Sequence, residues 1–295
     1  MPIGDADRSI EGRGRVALVT GGSAGVGWTM CELLAAKGFD VVPVARRMDR
    51  LECLALRLED RWGIRARPIA ADLGDPLAGS HIASTLADLG LRIDVLVNNA
   101  GYAQPGSYLD RTWEDQHRYL QVLAVSSAEL TRRLLPGMVE RGWGRVINVS
   151  SIGGLLAGVP GQALYAASKA FLVKLSESIA AEYERDGVRS TAAVLGPTRT
   201  EFNEVAGLTD YFDEHPLLSL WTMAPEPVVR KVYEASAKGR RVVVPGTANR
   251  VAAALVVHTP PRLRYALSRL TADAGQPGAS PLPDGADLSS AEATR

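Results

Sequence analysis

The chain has 295 residues, 46% of them hydrophobic, with 33 Lys and Arg balanced by 33 Asp and Glu. The balance excludes a global basic field for nucleic acid, the length suits one large α/β unit, and no apolar run is long enough to span a bilayer. Two cysteines, Cys31 and Cys53, and four scattered histidines (His81, His117, His215, His258) lack the spacing of a metal or redox site, so no metal is expected and the thiols are read as those of a cytoplasmic protein.

Residues 1–14 are polar, lack the apolar stretch of a secretory signal, and read as an N-terminal extension. A single domain is expected over 15–246. Its first strand is 15–20 (RVALVT), followed at once by the glycine-rich turn TGGSAGVG (20–27) and a helix over 26–37. Glycines there let the backbone approach a pyrophosphate, and the helix offers it free N–H groups and a positive dipole end. The residues expected around it are Gly21, Ser23, Ala24, Gly25, Val26 and Gly27. A second strand at 41–45 (VVPVA) contains Pro43, which is best tolerated near an edge or a bulge. At its end, where a carboxylate would hold an NAD ribose, the chain has Ala45, Arg46 and Arg47. Guanidinium groups suit a 2′-phosphate, so the cofactor is expected to be NADP(H).

Helices follow at 47–61 and 79–89, a strand at 93–97, a long helix over 112–141, a strand at 146–149 and a helix over 163–185. Strands at 190–195 and 241–245 flank a helix at 225–238. Strands alternating with helices give a parallel sheet with crossover helices. On the 163–185 helix, Tyr165 and Lys169 are four residues apart and share a face. A carbonyl that accepts hydride needs a proton donor. A tyrosine beside an ammonium would have its pKa lowered and serve as a reversible acid/base. Ser151, at the end of the 146–149 strand, would hydrogen-bond the substrate oxygen as it gains charge. Residues 247–271 form a basic, amphipathic C-terminal extension that either packs on its own domain or a partner subunit, or rests on a membrane surface. Residues 272–295, rich in Gly, Pro, Ser and Ala, read as a disordered tail.

The motifs TGGSAGVG (20–27), ADL (71–73), NNAG (98–101), NVSS (148–151) and YAASK (165–169) together resemble the short-chain dehydrogenase/reductase family, over roughly 14–245. The resemblance implies a Rossmann-type, doubly wound, three-layer αβα fold with about seven parallel strands. It implies that Asp72 and Leu73 border the adenine and that Asn99, Ala100 and Gly101 line its ribose. Lys169 would bind the nicotinamide ribose beside Tyr165, and Gly196, Thr198 and Thr200 would hold the carboxamide. GPTRTEF (196–202) and GRRVVVPG (239–246) resemble a ketoacyl-reductase-like branch. By the same resemblance residues 202–223 form a substrate lid, whose Phe202, Tyr211, Phe212, Leu217, Leu218, Leu220 and Trp221 suit an apolar carbonyl, such as a 3-oxoacyl group.

Three positions depart from the family pattern. Leu195 stands where a proline is usual, the Ser151–Tyr165 interval is one residue longer, and Leu123 takes the place of an asparagine that fixes a water for a proton relay to the lysine. The expected partners are a small carbonyl or alcohol substrate and further copies of the chain. Leu123 and Leu195 keep a second reading open, an idle NADP-binding regulatory or scaffold protein. A nucleotide-sugar epimerase or dehydratase would need a larger C-terminal substrate domain.

Overall fold

The computed structural model describes residues 2–156, 158, 160–200, 222–260 and 263. The elements run β1 (Val16–Thr20), α1 (Gly25–Ala36), β2 (Asp40–Ala45), α2 (Met48–Trp62), β3 (Ile69–Ala70), α3 (Ala78–Asp88), β4 (Ile93–Asn98), α4 (Trp113–Leu120), α5 (Ser126–Glu140), β5 (Gly144–Ser151), α6 (Ala163–Tyr183), β6 (Val188–Leu195), α7 (Pro225–Ala237), β7 (Val242–Val243) and α8 (Thr247–His258). The seven strands are all parallel, in the order β3-β2-β1-β4-β5-β6-β7. The order reverses between β1 and β4, the point at which sheets of this kind bind ligands beyond the carboxyl ends of their strands. The fold is the expected Rossmann-type three-layer sandwich.

Strand residues alternate between two cores, because successive side chains leave opposite faces of a sheet. Ala17, Val19, Val95 and Val97 pack on one face with Met30 and Leu33 of α1, Leu54 of α2 and Val229 of α7. Leu18, Val42, Leu96 and Val146 pack on the other with Ile82 of α3, Leu130 of α5 and Ile179 of α6. Burial on both faces is why these strands read as continuous apolar runs.

Three local features differ from the sequence reading. The two-residue β3 was not anticipated. Its brevity follows from Pro43: Val41 and Ala45 of β2 bond toward β3 (Val41 N–H to the Arg65 carbonyl, Ala71 N–H to the Ala45 carbonyl). By alternation Pro43 faces the same way and has no N–H to give. β2 is thus one strand in from the edge, and the ladder is interrupted between the Val41–Ala66 bridge and Val44–Ile69. The helix expected over 112–141 is instead α4 and α5 joined by a π-helical turn, Gln121–Val125.

Residues 2–14, expected as an extension, pack on the body. Ile3 is 1% exposed within the core. Asp7 pairs with Arg230 of α7 at 2.8 Å, and Glu11 accepts from Arg145 at 2.7 Å and from the Tyr233 hydroxyl at 2.6 Å. The Glu11–Arg145 pair ties this segment to the body, since the Arg145 side chain is only 7% exposed and a buried guanidinium without its carboxylate is costly. α8 buries Asn249 and Ala253 against its own domain and exposes Val251, Leu255 and Val257. No helix among the described residues is long and apolar enough to cross a membrane. Residues 272–295, and 202–221 of the lid expected at 202–223, lie outside the described residues.

Candidate active site

The glycine turn is built by close approaches that only hydrogen allows. Gly21 and Gly25 have φ of +69° and +53°, where other residues are strained. A Cβ on Gly27 would lie 2.2 Å from the Gly21 carbonyl oxygen and 2.5 Å from Asn99 Nδ2. Thr20 ties the turn to β4: its hydroxyl accepts from the Asn99 and Ala100 amides at 2.9 and 3.0 Å, and its carbonyl accepts from Asn99 Nδ2 at 2.9 Å. Asn99 and Ala100, expected at the ribose, therefore also hold the turn in shape. The N-terminus of α1 has no side-chain cap and no acidic residue in its first turn, so its amides and dipole stay available to an anion. Val26 packs against the core, leaving its backbone for the turn.

The cations read from the sequence lie beside this cradle. Arg47 donates to Ser23 Oγ from Nε at 3.3 Å and from Nη2 at 3.1 Å. Arg46 is exposed and its charge is felt at Asp72 and Tyr102. Burial works against the Asp72 carboxylate, but the Gly74 amide and Arg118 outweigh it and hold its pKa below the usual value. Arg118 was not singled out in the sequence. It fits there because a Cβ on Gly74 would stand 2.7 Å from its guanidinium carbon. The Leu73 side chain lies in the core.

Ser151, Tyr165 and Lys169 come together at the carboxyl end of β5. Ser151 Oγ accepts from the Gly153 amide at 3.1 Å in the turn Ile152–Leu155, and Gly153 brings it beside Tyr165, since a Cβ there would lie 3.5 Å from both Ser151 Oγ and the Tyr165 ring. Lys169 is buried, and its Nζ donates to the Val149 carbonyl at 2.9 Å and lies 5.6 Å from the Tyr165 ring centroid. Burial pulls its pKa down to about 8. Burial likewise raises the Tyr165 phenol, with Ser151 acting the other way. The depressed tyrosine expected from the sequence is therefore not a property of the chain alone: desolvation dominates, and the ammonium faces the ring rather than bonding the hydroxyl.

The π turn places Leu123, 1% exposed, beside this lysine. A Cβ on Gly101 would be 3.7 Å from Lys169 Nζ and 3.8 Å from Leu123 Cγ, so Gly101 makes room for both. Such turns recur at functional sites. Two supports went unread in the sequence. Ser150 Oγ donates to the Lys169 carbonyl at 2.7 Å. Asn98 Nδ2 donates to Asn148 Oδ1 at 2.7 Å and to Thr131 Oγ1 at 3.1 Å, and Asn148 Nδ2 to Ser176 Oγ at 2.8 Å, joining β4, β5, α5 and α6 beneath the site. Adjacent polar residues on neighbouring strands could have signalled it, had the strand order been known. The extra residue between Ser151 and Tyr165 falls in a stretch of which 157 and 159 lie outside the described residues.

After β6, Gly196 fits because a Cβ would meet Asn249 of α8 at 2.4 Å. Thr198 donates to the Gly196 carbonyl at 3.1 Å and bridges to Met223. The Thr200 Cβ lies 3.0 Å from where a Gly25 Cβ would be, which brings this segment against the glycine turn. Beside Tyr165 a shallow cleft with about 30 Å3 of room is lined by Gln104, Arg111, Gln116, Tyr119 and Gln162 among others.

Residues 15–209 match the model of the family described as short chain dehydrogenase. A short chain dehydrogenase of Pseudocercospora fijiensis is 39% identical over 210 residues, 70% of this chain and 67% of its own. Among solved structures, a 7beta-hydroxysteroid dehydrogenase is similar over 89% of this chain and 99% of its own, at 26% identity and a TM-score of 0.79. A short-chain dehydrogenase from Sphingobium yanoikuyae in complex with NADPH matches over 91% and 99%, at 28% identity and a TM-score of 0.72.

The buried lysine sets a pH dependence of stability. Its folded pKa of about 8 lies below the ordinary lysine value, so above pH 8 the unfolded chain binds more protons and stability rises with pH until the unfolded lysine also titrates. Denaturant melts between pH 7 and 10 are expected to show native protein gaining on Lys169→Met by up to about 1.4 kcal/mol per pH unit. The buried tyrosines titrate in both proteins and cancel in the difference. Parallel curves would contradict the buried ammonium.

Proposed function

Because the chain belongs to the short-chain dehydrogenase/reductase family, we propose that it is an NADP(H)-dependent oxidoreductase interconverting a ketone and a secondary alcohol. The observation that carries this reading is the Ser151–Tyr165–Lys169 cluster at the carboxyl edge of the sheet, beside an uncapped helix N-terminus. The glycine cradle and the lysine with its one carbonyl acceptor fit a dinucleotide. When bound, the nicotinamide supplies or accepts the hydride. Gly21, Ser23 and the α1 amides hold the pyrophosphate, Arg46 and Arg47 the 2′-phosphate, and Asp72 with the Asn99–Gly101 turn the adenosine side. Thr198 and Thr200 would hold the carboxamide. The NADPH bound to the Sphingobium yanoikuyae protein supports the choice of cofactor.

Ser151 hydrogen-bonds the substrate oxygen, and Tyr165 gives it a proton as charge develops there. Lys169 lies close enough to favour the phenolate left behind, and its remaining N–H donors suit ribose hydroxyls. Leu123 offers no hydrogen bond, so the proton returns along Lys169 through water held by backbone carbonyls. The substrate class is a bulky, largely apolar ketone, of which a 3-oxoacyl compound is one form. The hydroxysteroid named for the similar dehydrogenase supports that class.

Tyr165→Phe removes only the hydroxyl. NADPH oxidation with an accepted ketone is expected to fall by roughly 10²–10⁴, while NADPH binding, followed by fluorescence, survives. Near-normal rates would overturn the assignment. Arg46→Ala is expected to weaken NADPH much more than NADH, by the roughly 1.5–3 kcal/mol of a charged hydrogen bond. Equal losses for the two cofactors would remove Arg46 from the phosphate site.

A further inference from the structure

We propose that Arg111 is a specificity-determining residue that binds a carboxylate carried by the substrate at a distance from its ketone. The proposal rests on the reductase reading and narrows its substrate class. Tyr165 and Arg111 line the same cleft beside the sheet edge, so a molecule whose carbonyl reaches the tyrosine can extend toward the guanidinium. The lining contains no Asp or Glu among the described residues. The nearest carboxylate in sequence, Asp110, does not line the cleft and is already engaged: its Oδ2 accepts from the Ser107 amide at 2.6 Å and closes the turn Tyr108–Asp110.

Arg111 forms no ion pair among the described residues, and its protein contact is a long donation to the Pro105 carbonyl at 3.5 Å. Its charge is felt at Tyr119, which lines the cleft, and at Tyr102, which packs edge-to-face on Tyr119 with ring centroids 5.0 Å apart. The Tyr119 hydroxyl is already committed to the Tyr102 carbonyl at 3.0 Å, and Gln116 Nε2 to the Tyr108 carbonyl. Both brace the segment that presents the arginine. Gln104 and Gln162 supply neutral amides next to it. One guanidinium with amide donors suits a planar monoanion held by its fork, whereas a dianionic phosphate ester usually draws more than one cation. The preferred substrate is therefore an amphiphilic keto acid: an apolar body, a ketone at Tyr165 and a carboxylate at Arg111.

The test uses the full-length protein with NADPH and keto acids of six to twelve carbons, their ketone at the penultimate carbon, each paired with its methyl ester. Native protein is expected to favour acid over ester in kcat/KM by tenfold or more for at least one length. That ratio should collapse toward one in Arg111→Gln, recover in part in Arg111→Lys, and stay put in the remote surface variant Arg185→Gln. The split should appear in KM more than in kcat. The same pairs are titrated calorimetrically into the NADPH complex of Tyr165→Phe, where no turnover occurs. Acid binding tighter than ester and lost in Arg111→Gln supports the subsite even if the native protein reduces neither compound, which would sink the reductase reading alone. Equal handling of acid and ester by native protein, binding of neither, or a ratio unmoved by Arg111→Gln would overturn the proposal.

Discussion

The site depends on one interaction, the donation of a buried Lys169 ammonium to the Val149 carbonyl. A charge out of water disfavours its own protonation, and here the cost appears as a pKa drawn down to about 8. The neighbouring structure keeps that ammonium in place. Ser150 pins the Lys169 carbonyl. Gly154 brings the turn Ile152–Leu155 against α6, since a Cβ there would lie 2.6 Å from the Lys169 carbonyl carbon. Gly101 leaves space on the other side. A lysine maintained this way, next to a tyrosine that is itself desolvated, is a pair of groups poised to exchange a proton once a ligand alters their surroundings.

The same economy of space shapes the cofactor side. The turn after β1 can approach β4 because Gly21 and Gly27 lack side chains, and Thr20 then satisfies the backbone of residues 99 and 100. With those donors bonded inside the protein, the open amides at the start of α1 are left for an anion. The fold thus sets two groups of residues along one sheet edge, the glycine cradle with its arginines at β1 and β2 and the Ser151–Tyr165–Lys169 cluster at β5 and α6.

Much of this was legible in the residues. Strands buried on both faces announce themselves as apolar runs, so β1, β4, β5 and β6 were placed from sequence, and the glycine turn with Tyr165, Lys169 and Ser151 falls where the motifs put it. What was not legible depends on contacts distant in sequence. β3 is too short to leave a periodic signal and owes its length to Pro43. Asp7 and Glu11 sit in a stretch that reads as a polar arm, yet their partners, Arg145, Arg230 and Tyr233, come from at least 134 residues further along the chain. The Asn98–Asn148 network exists only once β4 and β5 are neighbours. The tyrosine pKa was misjudged because a motif shows which charges are near and not how dry the pocket is.

Leu123 bears most directly on the central claim that this cluster is a working catalyst. It sits in the π turn across Gly101 from Lys169, where the family pattern has a polar side chain that serves a proton relay, and its effect on turnover separates an enzyme from an idle binder of the same fold. The deciding measurement is NADPH oxidation with a broad ketone panel, in stopped-flow and steady state, by the native protein and by Leu123→Asn. Native protein should oxidise NADPH with at least one ketone, and the asparagine variant should change turnover only modestly, because backbone carbonyls can hold a water with two to four partners. Silence from the native protein alongside activity in Leu123→Asn would contradict the account and leave a protein that binds the cofactor without using it.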